Sequence, residues 1–186
     1  MPKEIKLFRE LPTLETERLI LRKIFLSDCN DIFEYASNNE VTKYLSWPTH
    51  KSLEDTQEFI YQITQSYIDA QPSSWGIELK SESKIIGTIG FLYWDIENKR
   101  TEVGFVLSKD YWRKGLMTEA LIEIVKFAFL MMDVNRIEAR TLLDNIASQS
   151  LLEKNNFLYE GILREYIYFN NKFLDVKLFS LLRNQF

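Results

Sequence analysis

A change of hydrophobic period near the middle of the chain is the feature that most limits its fold. From Ser74 onward apolar and polar side chains alternate, which predicts strands, whereas over Leu116 to Met132 apolar residues recur every three or four positions, which predicts a helix. Polar turns divide the alternating part into three runs, 74–79, 85–94 and 101–107. We therefore expect three antiparallel strands followed directly by a long amphipathic helix.

Further elements are predicted on both sides of this block. They are a strand over 18–25, a short helix capped by Ser27, a helix from Ser52 that ends by Pro72, a strand over 136–142, a helix over 147–155, and strands over 158–169 and 173–182 joined through Asn170 and Asn171. This order favours an α+β fold, a three-layer α/β/α arrangement around a mixed, mostly antiparallel sheet. The length of 186 residues fits one domain, 1–186.

Composition and charge restrict the class of function. The net charge is −4, and charges of both signs are mixed along the chain, so we expect neither nucleic acid nor an anionic membrane as a partner. Cys29 is the one cysteine, which excludes an internal disulfide. Residues 1–10 lack the apolar core of a signal peptide, and no run reaches the ~20 apolar residues of a membrane span. A cytoplasmic protein is expected.

The segment Leu107 to Ala120 carries the clearest binding signal. It runs from a strand through a basic turn containing Gly115 directly into the long helix. Unpaired N–H groups and the positive dipole end make the start of a helix suitable for a phosphate, and glycine lets a ligand approach the backbone. The same pattern equally fits an exposed turn with a helix cap, because one glycine is a weak signal.

Other catalytic patterns are missing from the sequence. Neither the P-loop pattern nor the glycine pattern of dinucleotide-binding folds occurs. His50 is the one histidine and Cys29 the one cysteine, so neither a zinc site nor a histidine-activated nucleophile is easily assembled. We interpret His50 as a loop residue and Cys29 as a small buried side chain, and we expect no metal.

Several ordered blocks share the pattern of one known family. They are ETERLILR (15–22), EVGFVL (102–107), YWRKGLMTEA (111–120) and DNIASQSLLEKNNF (144–157), which EGILRE (160–165) follows. In these blocks the chain resembles the GNAT acetyltransferases, and within them the Rim-type branch that acetylates protein amino termini. The resemblance covers about 14–182. It implies the GNAT acyl-CoA acyltransferase fold, with the sheet splayed between the fourth and fifth predicted strands, 103–107 and 136–142.

The resemblance also implies acetyl-CoA as cosubstrate. The turn would hold the CoA diphosphate through Trp112, Arg113, Lys114, Gly115, Leu116, Met117 and Thr118, and pantetheine would pair with Phe105, Val106 and Leu107. The superfamily signature has Gln or Arg at the position of Trp112 and a small residue at that of Met117. Because backbone amides bind the diphosphate, we expect both departures to be tolerated.

The helix over 147–155 would supply further contacts to the cosubstrate. Asn145 and Ser148 would bind pantetheine or the leaving sulfur, and their alternative role is helix capping. Lys154 would approach the 3′-phosphate or remain a solvated charge.

Acetyl transfer to an amine needs a base, an oxyanion site and an acid. Glu102 is the candidate base, although it could equally form a structural ion pair, and Glu160 is a second carboxylate candidate. The N–H of Phe105 or Val106 would stabilise the oxyanion. Many family members have a tyrosine as acid where this chain has Leu152, so Ser148 is the candidate that replaces it.

The acceptor is the least determined part of the prediction. Its expected walls are the loops 44–50 with Trp47 and 93–96 with Trp94. The branch implies a protein N-terminus, while a polyamine or an aminoglycoside is the alternative, and a non-catalytic acyl-CoA-binding module is a third. We expect a monomer or a homodimer.

Overall fold

The computed structural model describes residues 7–169 and 171–186. Residues 1–6 and Asn170, on which part of the signal-peptide and hairpin predictions falls, lie outside the described residues. The strands are β1 (Leu14–Glu15), β2 (Leu19–Arg22), β3 (Ser74–Leu79), β4 (Lys84–Asp95), β5 (Arg100–Leu107), β6 (Arg136–Leu142), β7 (Leu158–Phe169) and β8 (Lys172–Leu182). After residue 20 the helices are α1 (Cys29–Ala36), α2 (Asn39–Thr42), α3 (Leu53–Ile68), α4 (Leu116–Met131) and α5 (Ile146–Lys154).

The strands form one sheet in the order β1-β2-β3-β4-β5-β6-β8-β7. Every neighbouring pair is antiparallel except β5 and β6, which run parallel. The prediction of a mixed, mostly antiparallel sheet is therefore confirmed.

The sheet opens between β5 and β6. These strands pair only over Arg100↔Arg136, Thr101↔Ile137 and Glu102↔Glu138. Beyond Glu102, β5 remains paired with β4 as far as Leu107, and β6 remains paired with β8 as far as Leu142. The splay is confirmed, and it leaves a cleft between 103–107 and 139–142.

Helices cover both faces of the sheet. On one face α1 and α3 bury Ile32 and Ile60 against Ile85 and Val106. On the other, α4 buries Leu121, Ile124 and Ala128 in a cluster that also holds Trp75 and Ile137 and reaches Leu152 of α5. Burial of these side chains is the main stabilising contribution, and the three-layer arrangement is confirmed.

Most predicted elements agree with the structure to within two residues. The helix predicted from Ser52 is confirmed, since Ser52 is the N-cap residue of α3 and its N–H donates to the Asp55 carboxylate at 3.2 Å, but the helix ends at Ile68, before Pro72. The short strand β1 and helix α2 were not predicted.

The predicted strand over 18–25 is wrong at its end. β2 stops at Arg22 because the carboxylate of Asp28 accepts hydrogen bonds from the N–H of Phe25 at 2.8 Å and from the Arg22 guanidinium at 2.9 Å. These bonds turn the chain into the short 3-10 helix Leu26–Asp28, and α1 begins at Cys29 without a cap from Ser27.

Strand glycines allow close backbone contacts. A Cβ atom at Gly87 would lie 2.3 Å from the carbonyl oxygen of Val106, and one at Gly90 would lie 2.3 Å from that of Ser73. Glycine at these two positions therefore lets a neighbouring strand approach closely. At Gly104 the nearest atom is in the side chain of Leu92, 3.2 Å away.

Candidate functional site

The turn between β5 and α4 presents unpaired amide groups at one end of the cleft. Gly115 precedes the helix with a φ of 76°, and Arg113 has a φ of 61°. The first helical hydrogen bond runs from the N–H of Glu119 to the carbonyl of Gly115, at 3.1 Å. Within residues 7–169 and 171–186 the N–H groups of 115–118 have no backbone acceptor. Unpaired amides of this kind at the start of a helix are suited to an anion.

The side chains of the turn divide into buried and exposed ones. Leu116 and Met117 have side chains buried in the core, so only their amides are available to a ligand. Arg113 and Lys114 are exposed and bring two positive charges to the turn. Trp112 is 40% exposed, and its indole N–H donates to the carbonyl of Leu107 at 2.7 Å. This bond ties the turn to the last residue of β5.

The register of β5 decides which of its peptide groups face the cleft. The N–H of Ser108 donates to the carbonyl of Ile86 at 2.7 Å, and hydrogen-bonding direction alternates along a strand. Val106, opposite Thr88, therefore directs its peptide groups to β4. Phe105 and Leu107 direct theirs into the cleft. Of the two predicted oxyanion donors, Phe105 has the N–H on the open side.

At the mouth of the cleft, Asn145 caps α5. Its side-chain oxygen accepts the N–H of Ser148 at 3.2 Å, so the capping role is present in the structure. Ser148 is half-buried beside it. Lys154 is exposed at the far end of α5 and lines a groove of about 290 Å³ with Leu121, Ile122 and Phe186.

Glu102 lies where β5 and β6 part. Its side chain is 6% exposed and forms an ion pair with the guanidinium of Arg140. Burial raises the pKa of Glu102, Arg140 lowers it, and the nearby Glu138 raises it, with a raised net value. The carboxylate is thus both a member of an ion pair and a group that takes up a proton more readily than an ordinary glutamate.

Further ionisable groups share the sheet face of Glu102. Glu138 is buried and accepts hydrogen bonds from Arg136 at 2.7 Å, from the Tyr93 hydroxyl at 3.1 Å and from Arg140 at 3.2 Å. Burial and Glu138 raise the pKa of Tyr93 to about 12, so its hydroxyl keeps its proton. Sequence reasoning missed these residues, although the charges at 136, 138 and 140 alternate with a strand period and therefore share one face.

Glu160 is placed differently from Glu102. Arg136 binds both of its carboxylate oxygens, at 2.7 and 2.5 Å, and the Ser180 hydroxyl donates to it at 2.6 Å. The bonds from Arg136 lower the pKa of Glu160 to about 2. A carboxylate held so firmly in its charged form is a poor proton acceptor at neutral pH.

The two predicted acceptor tryptophans both pack into core clusters. Trp47 is partly buried against His50 and Phe59, with ring centroids 5.0 and 5.4 Å apart. Trp94 packs against Phe8, at 6.0 Å. The structure does not bring Trp94 to the face of Glu102.

A β-bulge explains the position of Trp94. The register shifts between Phe91 and Tyr93, so that Tyr93 lies opposite Glu102 and Trp94 opposite Thr101. Without the extra residue, Trp94 would share the face of Glu102, because side chains alternate along a strand. Tyr93 takes that place.

The single cysteine, the single histidine and Leu152 all lie in buried positions. Cys29 is buried, as expected. His50 is a buried loop residue whose Nδ1 lies 2.8 Å from the Thr56 hydroxyl, and burial lowers its pKa. Leu152, at the position of the family tyrosine, is fully buried.

Among the described residues, no group of three His, Cys, Asp or Glu side chains is arranged to hold a metal ion. No helix in the described part of the chain is long and apolar enough to cross a membrane.

Comparisons with known proteins agree with this geometry. A family model described as an acetyltransferase (GNAT) domain matches residues 18–158. An uncharacterized N-acetyltransferase of Bacillus licheniformis is 35% identical over 95% of this chain and 99% of its own. The ribosomal-protein-serine acetyltransferase of Escherichia coli is 23% identical over 89% of this chain and 93% of its own.

Solved structures share the fold. A GNAT-family acetyltransferase from Bacillus anthracis has a TM-score of 0.82 at 26% identity, covering 93% of this chain and 99% of that one. RimL, a ribosomal alpha-N-protein acetyltransferase solved in complex with coenzyme A, has a TM-score of 0.82 at 20% identity, covering 94% and 99%.

Proposed function

Because the chain belongs to the GNAT acetyltransferase family and is an N-acetyltransferase, we propose that it acetylates the amino terminus of a protein or peptide, of the ribosomal-protein type, with acetyl-CoA as donor. One observation carries the proposal. The cleft between β5 and β6 has unpaired amides at its outer end and a buried carboxylate, Glu102, where the strands part. A thioester arm in the cleft would lie between the two.

The cosubstrate would bind mainly through the backbone. The N–H groups of 115–118 would receive the diphosphate, with Arg113 and Lys114 adding charge. Pantetheine amides would pair with the cleft-facing peptide groups of Phe105 and Leu107, while Val106 would contribute contact only. Asn145 and Ser148 lie at the mouth of α5 and Lys154 on its outer end, in positions to meet the arm and the 3′-phosphate.

The reaction would proceed by direct attack in a ternary complex. Glu102, directly or through a water, would take the proton of the acceptor ammonium, because its raised pKa suits a base near neutral pH. The amine then attacks the thioester carbonyl, and the N–H of Phe105 stabilises the oxyanion. As the C–S bond breaks, Ser148, or a water that it holds, gives a proton to the sulfur.

The relatives favour a protein N-terminus over a small amine as the acetyl acceptor. The named ribosomal-protein acetyltransferases match nearly the whole chain rather than the cofactor segment alone. Glu102, Glu138 and the Tyr93 hydroxyl share one face of the sheet, and they would be the polar partners of a cationic N-terminus and its first peptide group. We propose a cytoplasmic enzyme that acts as a monomer or a homodimer.

The acceptor can be tested directly. Wild-type protein is incubated with acetyl-CoA and a panel of N-terminal peptides from ribosomal proteins, polyamines and aminoglycosides, and the products are identified by mass spectrometry. Acetylated peptide N-termini are expected. Acetylation of a polyamine or an aminoglycoside alone would replace the proposed acceptor, and CoA binding without any product would favour a non-catalytic acyl-CoA-binding module.

A further inference from the structure

Arg18 connects the amino-terminal segment to the turn that begins α4. Its Nη1 donates to the carbonyl oxygen of Lys114 at 2.9 Å, and its Nε donates to Glu119 at 2.7 Å. The backbone N–H of Arg18 and the Thr16 hydroxyl donate to the other oxygen of Glu119, at 2.8 and 2.5 Å. Arg18 belongs to the block ETERLILR, to which the proposed mechanism gives no role.

The bond to Lys114 acts on the next amide. The carbonyl of Lys114 and the N–H of Gly115 belong to one planar trans peptide and point in opposite directions. A donor that holds the carbonyl on one side therefore fixes the N–H toward the other side. A charged donor on the carbonyl also polarises the peptide, which strengthens the hydrogen bond that its N–H can give.

This peptide needs an external support. Gly115 has a φ of 76° and lies two residues after Arg113, which has a φ of 61°. Glycine populates several backbone conformations at similar energy, so the peptide between Lys114 and Gly115 would turn easily without a partner. Arg18 supplies that partner, and its Nη2 lies 3.5 Å from the point where a Cβ of Gly115 would stand.

Glu119 holds the guanidinium in place. Burial raises its pKa, but the hydrogen bonds from Thr16 and Arg18 outweigh this and lower it. The carboxylate is therefore charged at neutral pH and fixes the end of Arg18 that does not contact the turn.

We propose that Arg18 is a positioning residue for diphosphate binding: by holding the Lys114 carbonyl, it aims the Gly115 N–H at the anion site. This inference rests on the proposed binding of the CoA diphosphate at the turn. It predicts that Arg18 contributes to the affinity for ligands with a diphosphate and not to the affinity for the pantetheine arm.

The test compares two ligands on matched variants. Binding of CoA and of pantetheine, which lacks every phosphate, is measured by calorimetry for wild type, Arg18→Gln, Arg18→Lys and Arg100→Gln. Arg100 is the control, because it forms a similarly exposed ion pair, with Asp95, at the opposite end of β5. Circular dichroism checks that each variant is folded.

Arg18→Gln is expected to weaken CoA binding about tenfold, the size of a lost hydrogen bond from a charged group, and to leave pantetheine binding within about twofold of wild type. Arg18→Lys keeps the charge but cannot hold both Glu119 and the Lys114 carbonyl, so it should also lose affinity for CoA. Arg100→Gln should bind both ligands as wild type does.

Each other outcome overturns a specific statement. Unchanged CoA affinity in Arg18→Gln, or an equal loss for both ligands, would contradict the positioning role. Full affinity in Arg18→Lys would show that charge alone acts, so that Arg18 attracts the phosphate rather than orienting the peptide. Absence of CoA binding by wild type would instead refute the proposed function.

Discussion

The guanidinium of Arg140 contacts the carboxylate of Glu102 and lies under the ring of Tyr166, 4.8 Å from its centroid. Its Nε is buried and has no hydrogen-bond partner among the described residues. Arg140 is therefore held by packing and by two carboxylates, Glu102 and Glu138. It opposes the effect of burial on the pKa of Glu102 and so extends the pH range in which that carboxylate is charged.

Removal of Arg140 should shift the pH dependence of the reaction. Because Arg140 lowers the pKa of Glu102, Arg140→Met should raise it further, and the base form would then be populated only at higher pH. We expect the acidic limb of the profile of kcat/KM against pH to move up by about one unit or more. An acidic limb unchanged from wild type would exclude Glu102 as the titrating base. Arg100→Gln is the control.

Glu102 and Glu160 should differ in their contributions to turnover. Glu102→Gln should lower kcat about 100-fold or more, the usual effect of losing a general base, with CoA affinity within about twofold of wild type. Glu160→Gln should retain kcat within a few-fold, since Glu160 is committed to Arg136. Steady-state kinetics and calorimetry decide this, and the reverse order would make Glu160 the base.

Ser148 is expected to act on the leaving sulfur. Ser148→Ala should lower kcat about tenfold, because the departing thiolate would lose its proton donor. Ser150→Ala, a half-buried serine on the same helix, serves as the matched control. A kcat for Ser148→Ala within twofold of wild type would exclude Ser148 as the proton donor and leave it only its N–H bond to the Asn145 cap.

Gly115 should be sensitive to backbone strain. At a φ of 76° an alanine costs about 1–2 kcal/mol, so Gly115→Ala should lower both the free energy of unfolding and the affinity for CoA. Gly115→Asn should lose less of both, since asparagine tolerates the left-handed conformation better. Urea unfolding and calorimetry measure the two effects. Equal losses for Ala and Asn would rule out strain as the cause.

The contribution of Glu160 to stability should disappear in acid. Its pKa in the folded protein is about 2, below the ~4.3 of an unfolded glutamate. The stabilisation is therefore complete above the unfolded pKa and is lost as the pH falls from about 5 towards 2. Partial exposure of the pair reduces it to about 1 kcal/mol.

Urea unfolding of wild type and Glu160→Gln measures this contribution. The difference in unfolding free energy should be present at pH 6 and mostly lost near pH 2. Glu97→Gln, at an exposed position between β4 and β5, should show neither effect. A difference between wild type and Glu160→Gln that does not change with pH would contradict the assignment.

The sequence predicted regular elements better than the contacts between them. The bounds of β3 to β8 follow from a clear hydrophobic period and from polar turns. β2 ends before the predicted residue because the Asp28 carboxylate accepts a hydrogen bond from the N–H of Phe25. Such a local hydrogen bond competes with strand pairing, and no hydrophobic period in the sequence indicates it.

The parts of the candidate site that one continuous segment forms could be located from the sequence. The turn at 112–118 is read directly from the chain, whereas Arg140 reaches Glu102 only because β6 lies parallel to β5. The β-bulge at Leu92 places Trp94 on the face of the sheet opposite to that of Glu102. One extra residue in a strand reverses the face on which every later side chain lies. No pattern in 91–94 indicates that insertion.

Trp112 makes the turn observable without a label. Trp75 is fully buried, Trp47 and Trp94 are partly buried in the two core clusters, and Trp112, at 40%, is the most exposed of the four tryptophans. Its indole N–H donates a hydrogen bond to the last carbonyl of β5, at the edge of the cleft between β5 and β6. Binding of CoA at the turn, as proposed, should therefore change the fluorescence of this ring, which would serve as an intrinsic optical reporter of occupancy.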